Sequence, residues 1–371
     1  MAGSTVEERL DRLRQRLARR TARFHDLRLT PFIGFGNEQA FSLMGRVLRK
    51  SSSLPSRYEQ ESIWKVVRDM YTRLASNEAP GIDVILRAAQ REYHSTSDEE
   101  GFFQFSIEKP SLSGTGPWHT VELRLAHNEL QAGTQARVLI PSAQAAFGMI
   151  SDIDDTIVQT HATSLHKMAR TVFLNNAQSR LPFPGVAALY RALVQGSSEA
   201  ANPIFYISSG PWNFHDLLND FMELNGIPLG PIMLQDFGLK NDQLMMASHS
   251  SHKLKQIRKV FSFYPNLPFI LMGDSGQHDP EVYSEVLKEF PGRIQGVYIR
   301  DVSPENRDKE IRHLAIEASK NGCPMLLVKD SFDVAEHAER NGFIASSTLP
   351  EIRAEVASDN APEPQNWMGE E

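Results

Sequence analysis

The sequence has little cysteine and no long apolar run. Cys323 is its one cysteine, so the chain can form neither an internal disulfide nor a zinc site built from several cysteines. We expect this residue to be a small buried side chain. No apolar stretch reaches the ~20 residues of a membrane-spanning helix, and the N-terminus lacks an apolar signal core. These absences predict a cytoplasmic protein without a transmembrane segment, and they leave peripheral attachment to a membrane open.

An excess of positive charge is also missing. The formal net charge is -7, whereas a nucleic-acid-binding protein is expected to present a basic surface. The 371 residues are 41% hydrophobic and 23% charged, which is ordinary composition for a globular protein and enough for two domains. Nucleic acid is therefore excluded as a partner. The oligomeric state is not indicated by these patterns.

Residues 1–30 carry an apolar stripe opposite an arginine-rich face, which predicts an amphipathic helix. The stripe consists of Val6, Leu10, Leu13 and Leu17. Such a helix can lie on a membrane or dock on its own protein. The lack of Trp or Phe before Phe24 favours docking, because interfacial helices anchor through those side chains.

Residues 31–141 contain short alternating strands at hairpin-like intervals, with one helical stretch at 58–75. The pattern predicts an antiparallel β-sandwich-like accessory domain, and its scattered histidines form no catalytic cluster. Strands are expected at 41–48, 82–88, 103–107, 121–125 and 136–140.

Residues 142–349 alternate strands with helices, which predicts βαβ units and a parallel sheet. Strands are expected at 147–150, 204–207, 232–234, 269–272, 294–299 and 325–328, and helices at 213–224, 253–261 and 280–290. Residues 350–371 are rich in Pro, Glu and Asn and are predicted to be a disordered C-terminal tail.

One apolar run in this region leads directly into acids. Residues 147–150 are followed by Ser-Asp-Ile-Asp-Asp-Thr at 151–156. If strand geometry persists, Asp152 and Asp154 share one face while Ile153 points into the core. Clustered carboxylates repel each other unless a cation neutralises them, so the arrangement predicts a hard, oxygen-preferring ion such as Mg²⁺.

These acids have two other interpretations. A solvated acidic turn remains an alternative, although fusion to a strongly apolar strand disfavours it. A calcium loop is excluded by spacing, because the positions that require Gly and Glu hold Ile157 and Thr163.

Three further stretches place polar groups after or beside predicted strands. Ser208-Ser209-Gly210 precedes a helix start, where backbone N–H groups can bind an anion. Lys253 opens a predicted helix and can serve as a fixed cation for phosphate. The stretch 273–279, Gly-Asp-Ser-Gly-Gln-His-Asp, supplies two more carboxylates. Each stretch alone is most often a turn or a surface charge, so their order carries the argument.

The order acid pair, hydroxyl, lysine, acid pair resembles the haloacid dehalogenase-like phosphotransferase superfamily. Three stretches, 151–156, 209–213 and 273–283, are similar to the actin-patch-associated phosphatidate phosphatase catalytic domain family. The resemblance covers about residues 147–345. It implies a Rossmann-like parallel sheet with a minimal cap, preceded by the small β-sandwich-like domain. It also implies a Mg²⁺-dependent phosphatidate phosphatase-like phosphomonoesterase.

The resemblance further implies individual roles. Asp152 matches the nucleophile and Asp154 the general acid and base, while Asp279 orients Lys253 or a metal-bound water. The implied catalytic residues are Asp152, Asp154, Ser208, Lys253 and Asp279. The implied phosphate-binding residues are Thr156, Ser209 and Gly210, and the implied Mg²⁺ ligands are Asp152, Asp154 through its carbonyl, and Asp274. Whether Ser208 or Ser209 contacts phosphate is left open, because Gly210 stands where a second small polar residue is expected.

The spacing between these motifs leaves little room for a cap domain, which closes over small substrates in related enzymes. An open site predicts a phospholipid head group presented at a membrane surface, with residues 161–181 as a candidate lipid contact or, alternatively, a helix packed on the sheet. The remaining alternatives are a protein or small-molecule phosphatase of the same superfamily and a non-catalytic phospholipid-binding module. The intact set of acids, hydroxyl and lysine argues against the last.

Overall fold

The computed structural model describes residues 27–49, 78–110, 112, 116–126, 133–158, 182–235, 245–320 and 322–360. The chain divides into two compact units, Met1–Ser142 and Ala143–Glu371. Most of the predicted N-terminal helix, the helix expected at 58–75 and the segment 161–181 lie outside the described residues. The end of the N-terminal prediction is wrong, because Leu27–Pro31 is a strand whose Leu27 and Leu29 side chains are buried in a β core.

The described residues of the first unit form strands and their connections. The strands are β1 (Leu27–Pro31), β2 (Gly34–Gly36), β3 (Ala40–Arg49), β4 (Asp83–Ala88), β5 (Arg91–Thr96), β6 (Phe102–Glu108), β7 (Trp118–Leu125) and β8 (Thr134–Leu139). Their order is β1-β3-β2-β8-β7-β4-β5, with β6 paired to β3. The pair β2–β8 is parallel, and the other pairs are antiparallel.

Alternating side chains build the core of this unit. Phe103, Phe105 and Ile107 on β6 are buried, whereas Gln104, Ser106 and Glu108 between and after them are exposed. This period of two places the apolar residues on one face.

The strand pairing observed in the first unit differs from the predicted β-sandwich in one respect. The three-residue strand β2 pairs with both β3 and β8, so the eight described strands of this unit form one continuous sheet. A Cβ atom at Gly36 would lie 2.4 Å from Phe41 Cα, and therefore only glycine permits this close β2–β3 approach. Strands β1, β2 and β5 were not predicted, since β2 is short and β5 is mostly polar.

The predicted parallel sheet is confirmed in the second unit. Its strands are β9 (Gly148–Ser151), β10 (Ile204–Pro211), β11 (Ile232–Gln235), β12 (Phe269–Asp274), β13 (Ile294–Arg300) and β14 (Met325–Val328), in the order β11-β10-β9-β12-β13-β14. Ser151 at the end of β9 pairs with Tyr206 on β10 and with Met272 on β12. Because the strands are parallel, the residues that follow them meet at one edge of the sheet.

The helices of this unit are α1 (Val186–Gln195), α2 (His215–Leu224), α3 (Met245–Phe263), α4 (Asp279–Glu289), α5 (Glu305–Lys320), α6 (Ser331–Arg340) and α7 (Leu349–Asn360). A 3-10 turn, Trp212–Phe214, precedes α2. Within the part of the chain that the structure describes, no helix has the length and apolarity to cross a bilayer.

Two predictions about helices need correction. Lys253 does not open a helix, because α3 begins at Met245. The sequence pattern missed this first part since 248–251, Ser-His-Ser-Ser, has weak helix propensity. Residues 350–360 are also not a disordered tail but part of α7. Carboxylates of α7 accept hydrogen bonds at the start of α1, from Gly185 N to Asp359 Oδ2 at 2.9 Å and from Ala188 N to Glu355 Oε1 at 2.8 Å.

Candidate active site

Asp152 follows the central strand β9 and is almost fully buried, with 1% of its surface exposed. Its backbone N–H donates to Met272 O at 2.9 Å, so the pairing of β9 with β12 continues to this residue. Its Oδ1 atom lies 2.8 Å from Lys253 Nζ as an ion pair. Burial raises the pKa of Asp152 well above its ordinary value of 3.8, and Lys253 only partly offsets this. The Asp152 carboxylate is therefore shielded from water and is paired with the Lys253 ammonium.

Lys253 lies within α3 and connects two of the predicted catalytic acids. Its ammonium contacts Asp152 and also Asp279, the first residue of α4. Burial favours the neutral amine, but the two carboxylates outweigh burial and raise the pKa of Lys253. The expected contact between Asp279 and Lys253 is therefore present, and Lys253 is a permanent cation at neutral pH.

Asp154 and Ser208 form the second contact between predicted site residues. Ser208 Oγ donates to Asp154 Oδ2 at 2.9 Å and accepts a hydrogen bond from Gly210 N at 2.9 Å. Burial raises the pKa of Asp154 to about 6, although the Ser208 hydrogen bond favours the ionised form. A carboxyl group with this pKa can carry or release a proton near neutral pH, which a general acid and base requires.

The hydroxyl groups beside these acids differ in their hydrogen bonding. Ser208 Oγ is engaged on both sides, whereas Ser209 Oγ and Thr156 Oγ1 are buried and have no hydrogen-bond partner among the described residues. Buried hydroxyls are usually satisfied, so these two are available to an added acceptor such as phosphate. Gly210 already donates its N–H to Ser208, and its phosphate-binding role stays a prediction.

The loop 274–279 holds the remaining acids close together. Asp274 Oδ1 accepts hydrogen bonds from Gly276 N at 2.7 Å and Gln277 N at 2.8 Å, and Asp274 N donates to Asp279 Oδ2 at 3.2 Å. A Cβ atom at Gly273 would lie 2.5 Å from Asp279 Oδ2, so glycine is required there. Burial, followed by the neighbouring Asp279, raises the pKa of Asp274 to about 8.

Asp152, Asp274 and Asp279 form a cluster in which one carboxylate oxygen of each lies within 4.8 Å of the others. Asp152 Oδ2 and Asp274 Oδ2 are buried and have no hydrogen-bond donor among the described residues. Closely spaced buried carboxylates with free oxygens suit a hard divalent cation. The donor set therefore fits Mg²⁺.

The placement of Asp154 differs from that of the other two predicted metal ligands. Its carboxylate accepts a hydrogen bond from Ser208. Its backbone carbonyl, whose oxygen is the predicted ligand atom, accepts a hydrogen bond from Gln277 Nε2 at 3.3 Å. Asp279 takes its place in the carboxylate cluster. The role of Asp154 as a metal ligand stays a prediction.

Several residues that support the site were not predicted. Arg300 at the end of β13 is buried, and its Nε atom donates to Thr156 O at 3.1 Å. Ser151 Oγ donates to Asp152 O at 2.6 Å and lies 2.8 Å from the buried Tyr190 hydroxyl. An arginine closing an apolar strand was a visible signal for the first contact. The second depends on the position of α1, which the sequence motifs did not indicate.

These elements define an α/β domain with a parallel sheet, in which buried acids, a lysine and serines meet at the carboxyl ends of the strands. Residues 147–301 match the family model described as "Phosphatidate phosphatase APP1, catalytic domain". The match confirms, for this segment, the resemblance to that family that the sequence motifs predicted.

Two curated relatives cover similar parts of the chain. Phosphatidate phosphatase APP1 of Saccharomyces cerevisiae is 36% identical over 162 residues, which are 43% of this chain and 27% of the relative. An uncharacterized protein of Schizosaccharomyces pombe is 24% identical over 222 residues, which are 57% of this chain and 35% of the relative. The chain thus spans only about a quarter to a third of the length of these relatives.

Two solved structures match the chain only weakly. A carbohydrate acetylesterase from Xanthomonas citri has a TM-score of 0.28 and 11% identity, covering 79% of this chain and 74% of that chain. A Bifidobacterium dentium β-glucuronidase has a TM-score of 0.26 and 9% identity, covering 90% of this chain and 58% of that chain. Scores this low support no conclusion about fold or function.

Proposed function

We propose that the second unit is a Mg²⁺-dependent phosphomonoesterase of the haloacid dehalogenase type that hydrolyses a phosphatidate-like lipid through an aspartyl-phosphate. One observation carries this proposal. In the segment that matches the phosphatidate phosphatase APP1 catalytic domain model, Lys253 Nζ lies 2.8 Å from Asp152 Oδ1, and Asp154 accepts a hydrogen bond from Ser208. A nucleophile, a fixed cation and a separate acid with its own hydroxyl partner are thereby assembled.

Asp152 is the nucleophile in this mechanism. A carboxylate oxygen of Asp152 forms a bond to phosphorus as the ester P–O bond breaks, and the electron pair of that bond leaves with the alkoxide. Lys253 contributes a positive charge that persists through the reaction and stabilises the equatorial phosphoryl oxygens where charge accumulates. Burial of both side chains strengthens this interaction because water does not screen it.

Asp154 moves the protons. In the first step its carboxyl group gives a proton to the leaving alkoxide. In the second step it accepts a proton from the water that attacks phosphorus, while the bond between phosphorus and the Asp152 oxygen breaks and the Asp152 carboxylate and inorganic phosphate are released. A pKa of about 6 suits both directions near neutral pH. Ser208 holds Oδ2 of Asp154, so Oδ1, which has no hydrogen-bond partner among the described residues, is the oxygen left for proton transfer.

Mg²⁺ would be held by Asp152, Asp274 and the Asp154 carbonyl, with Asp279 beside them, and when bound it offsets repulsion between the carboxylates and a phosphate dianion. Ser209 and Thr156 hydroxyls would donate to phosphate oxygens, since both lack other partners among the described residues. Ser208 would contribute by orienting Asp154, so we propose Ser209 as the serine that contacts phosphate.

The substrate class comes from the relative and from the sequence. The Saccharomyces cerevisiae protein is named a phosphatidate phosphatase, and 27% of its length is matched here. We therefore propose a phospholipid substrate presented at a membrane surface, with the protein located in the cytoplasm and attached peripherally. The segment 161–181, a candidate for lipid contact, lies outside the described residues.

Phosphate release from a panel of substrates tests the proposal. Phosphatidate and lysophosphatidate in mixed micelles, a phosphopeptide and soluble sugar phosphates are compared at fixed Mg²⁺, with and without chelator, using Asp152→Asn as the blank. We expect the highest kcat/KM on phosphatidate and loss of activity with chelator. A preference for phosphopeptides or sugar phosphates would replace the lipid substrate, and release by Asp152→Asn at the wild-type rate would end the mechanism.

A further inference from the structure

We propose that Arg307 is a positioning residue for Asp274, acting through the loop between β12 and α4. Arg307 lies on α5, beyond the segment 147–301 that the family model matches. It does not touch the acids themselves. The inference builds on the proposed metal site, because it concerns the acid whose free oxygen that site uses.

The Arg307 guanidinium gathers three groups from the loop and the start of α4. Nε donates to Ser275 O at 3.4 Å, and Nη2 donates to Gln277 O at 3.3 Å and to Glu281 Oε2 at 2.8 Å. On its other side, Nη1 donates to Glu310 Oε2 at 2.6 Å, one turn along α5. The planar cation is therefore fixed in its own helix and fixes the loop in turn.

One peptide group connects Arg307 to Asp274. The carbonyl of Ser275 accepts from Arg307, and the N–H of the same peptide unit, on Gly276, donates to Asp274 Oδ1 at 2.7 Å. A cation on the carbonyl polarises the amide and strengthens its N–H as a donor. Arg307 thus sets both the direction and the strength of a hydrogen bond to the acid.

The two carboxylate oxygens of Asp274 differ in their hydrogen bonds. Oδ1 is occupied by the N–H groups of Gly276 and Gln277, whereas Oδ2 has no donor among the described residues. A loop free to rotate its peptide groups would offer N–H donors to either oxygen. By holding the loop, Arg307 keeps Oδ2 available for a cation.

The buried Ser275 side chain gives the loop a second attachment. Its Oγ atom accepts from Val302 N at 2.9 Å and Ser303 N at 3.0 Å. Loss of Arg307 should therefore loosen the loop without unfolding it. Lysine cannot replace arginine fully, because a point-like ammonium cannot reach two carbonyls and a carboxylate with one planar fork.

Calorimetric titration with Mg²⁺ tests this inference. Arg307→Ala is compared with Arg258→Ala, a matched control in which an exposed arginine of α3 pairs with Glu289 and Glu285 of α4 but does not touch the loop. We expect Arg307→Ala to weaken Mg²⁺ binding about 10- to 100-fold, as loss of other supporting contacts to metal ligands does. Arg307→Lys should recover part of the affinity, and the control should keep it.

Two further measurements separate positioning from general destabilisation. At saturating Mg²⁺, kcat of Arg307→Ala should return close to wild type, since the defect lies in the Mg²⁺ requirement. Hydrogen exchange without metal should be faster at the Gly276 and Gln277 amides in Arg307→Ala and unchanged in the control.

The outcomes distinguish this inference from the proposed function. If wild type and Arg307→Ala bind Mg²⁺ equally, the positioning role is refuted while the phosphatase proposal stands. If wild type binds no Mg²⁺, the proposed metal site is refuted, and amide exchange alone decides the positioning role. Equal exchange in both proteins would overturn it, and selective acceleration in Arg307→Ala would support it.

Discussion

Lys253 and Asp152 form a buried ion pair with Nζ 2.8 Å from Oδ1 and side-chain exposures of 6% and 1%. The same ammonium contacts Asp279, so two carboxylates depend on one cation. Assembling such charges away from water contributes little net stability, but removing one partner leaves the others uncompensated. The Lys253–Asp152 pair is therefore expected to affect the free energy of unfolding mainly when one partner is removed.

Lys253→Gln should destabilise the metal-free protein by about 3–5 kcal/mol, because buried Asp152 and Asp279 lose their shared cation. Urea unfolding measures this change in the free energy of unfolding. Lys255→Gln is the matched control, since Lys255 is an exposed lysine of the same helix and its replacement should change stability by less than about 0.5 kcal/mol. Similar values for the two variants would contradict a buried, shared cation.

Asp152→Asn should lower kcat by at least about 10⁴-fold, because an amide is a poor nucleophile. The thermal midpoint without Mg²⁺ should not fall, since the substitution removes one of several repelling carboxylates while Asp279 remains paired with Lys253. Mass spectrometry of the acid-quenched wild-type enzyme should find phosphate on the peptide that contains Asp152. Near-normal turnover by the variant would exclude the assignment.

Asp154→Asn should depend on the leaving group. With glycerol-like alkoxides, loss of the proton donor should lower kcat about 10²- to 10⁴-fold. An activated aryl phosphate leaves without a proton and should be affected much less in the aspartyl-phosphate-forming step. Rapid-quench measurement of that step with both substrates gives the ratio, and equal losses would make Asp154 a structural or metal-positioning residue.

The buried acids also predict a pH dependence of stability. Burial raises the pKa of Asp154 to about 6 and that of Asp274 to about 8, from 3.8. Between pH ~4 and ~8 the folded protein holds protons that the unfolded chain has released, so stability falls as pH rises through this window. Thermal unfolding without metal should show this decline, and Asp274→Asn should flatten its upper part. A decline unchanged in Asp274→Asn would assign it to other groups.

Metal affinity should change in the opposite direction. Because Mg²⁺ binds deprotonated carboxylates, affinity should rise between pH 6 and 9 and binding should release protons. Calorimetry in two buffers with different ionisation enthalpies counts those protons. Proton-free binding at pH 6.5 would place the ion away from Asp274.

Much of the second unit follows from local sequence. Short apolar runs that end in polar residues predicted each strand of the parallel sheet, and the acids at 152, 154, 274 and 279 were identified from their positions after such runs. Lys253 was identified, but the start of its helix was not, because weak helix formers precede it. Helices α5, α6 and α7 were missed, since their charged faces resemble solvated loops and tails.

The sequence by itself determined which chemical groups stand at the end of each strand of the parallel sheet, because an apolar run followed by polar residues marks each strand end and the order of these runs fixes the motif. Only the tertiary structure decided which group contacts which. Ser208, and not Ser209, donates a hydrogen bond to Asp154. Asp279 lies in one carboxylate cluster with Asp152 and Asp274. Arg307 donates a hydrogen bond to the loop between Asp274 and Asp279. These contacts join residues far apart in sequence, so they depend on strand register, helix packing and the hydrogen bonds already taken by each oxygen, none of which a local pattern contains.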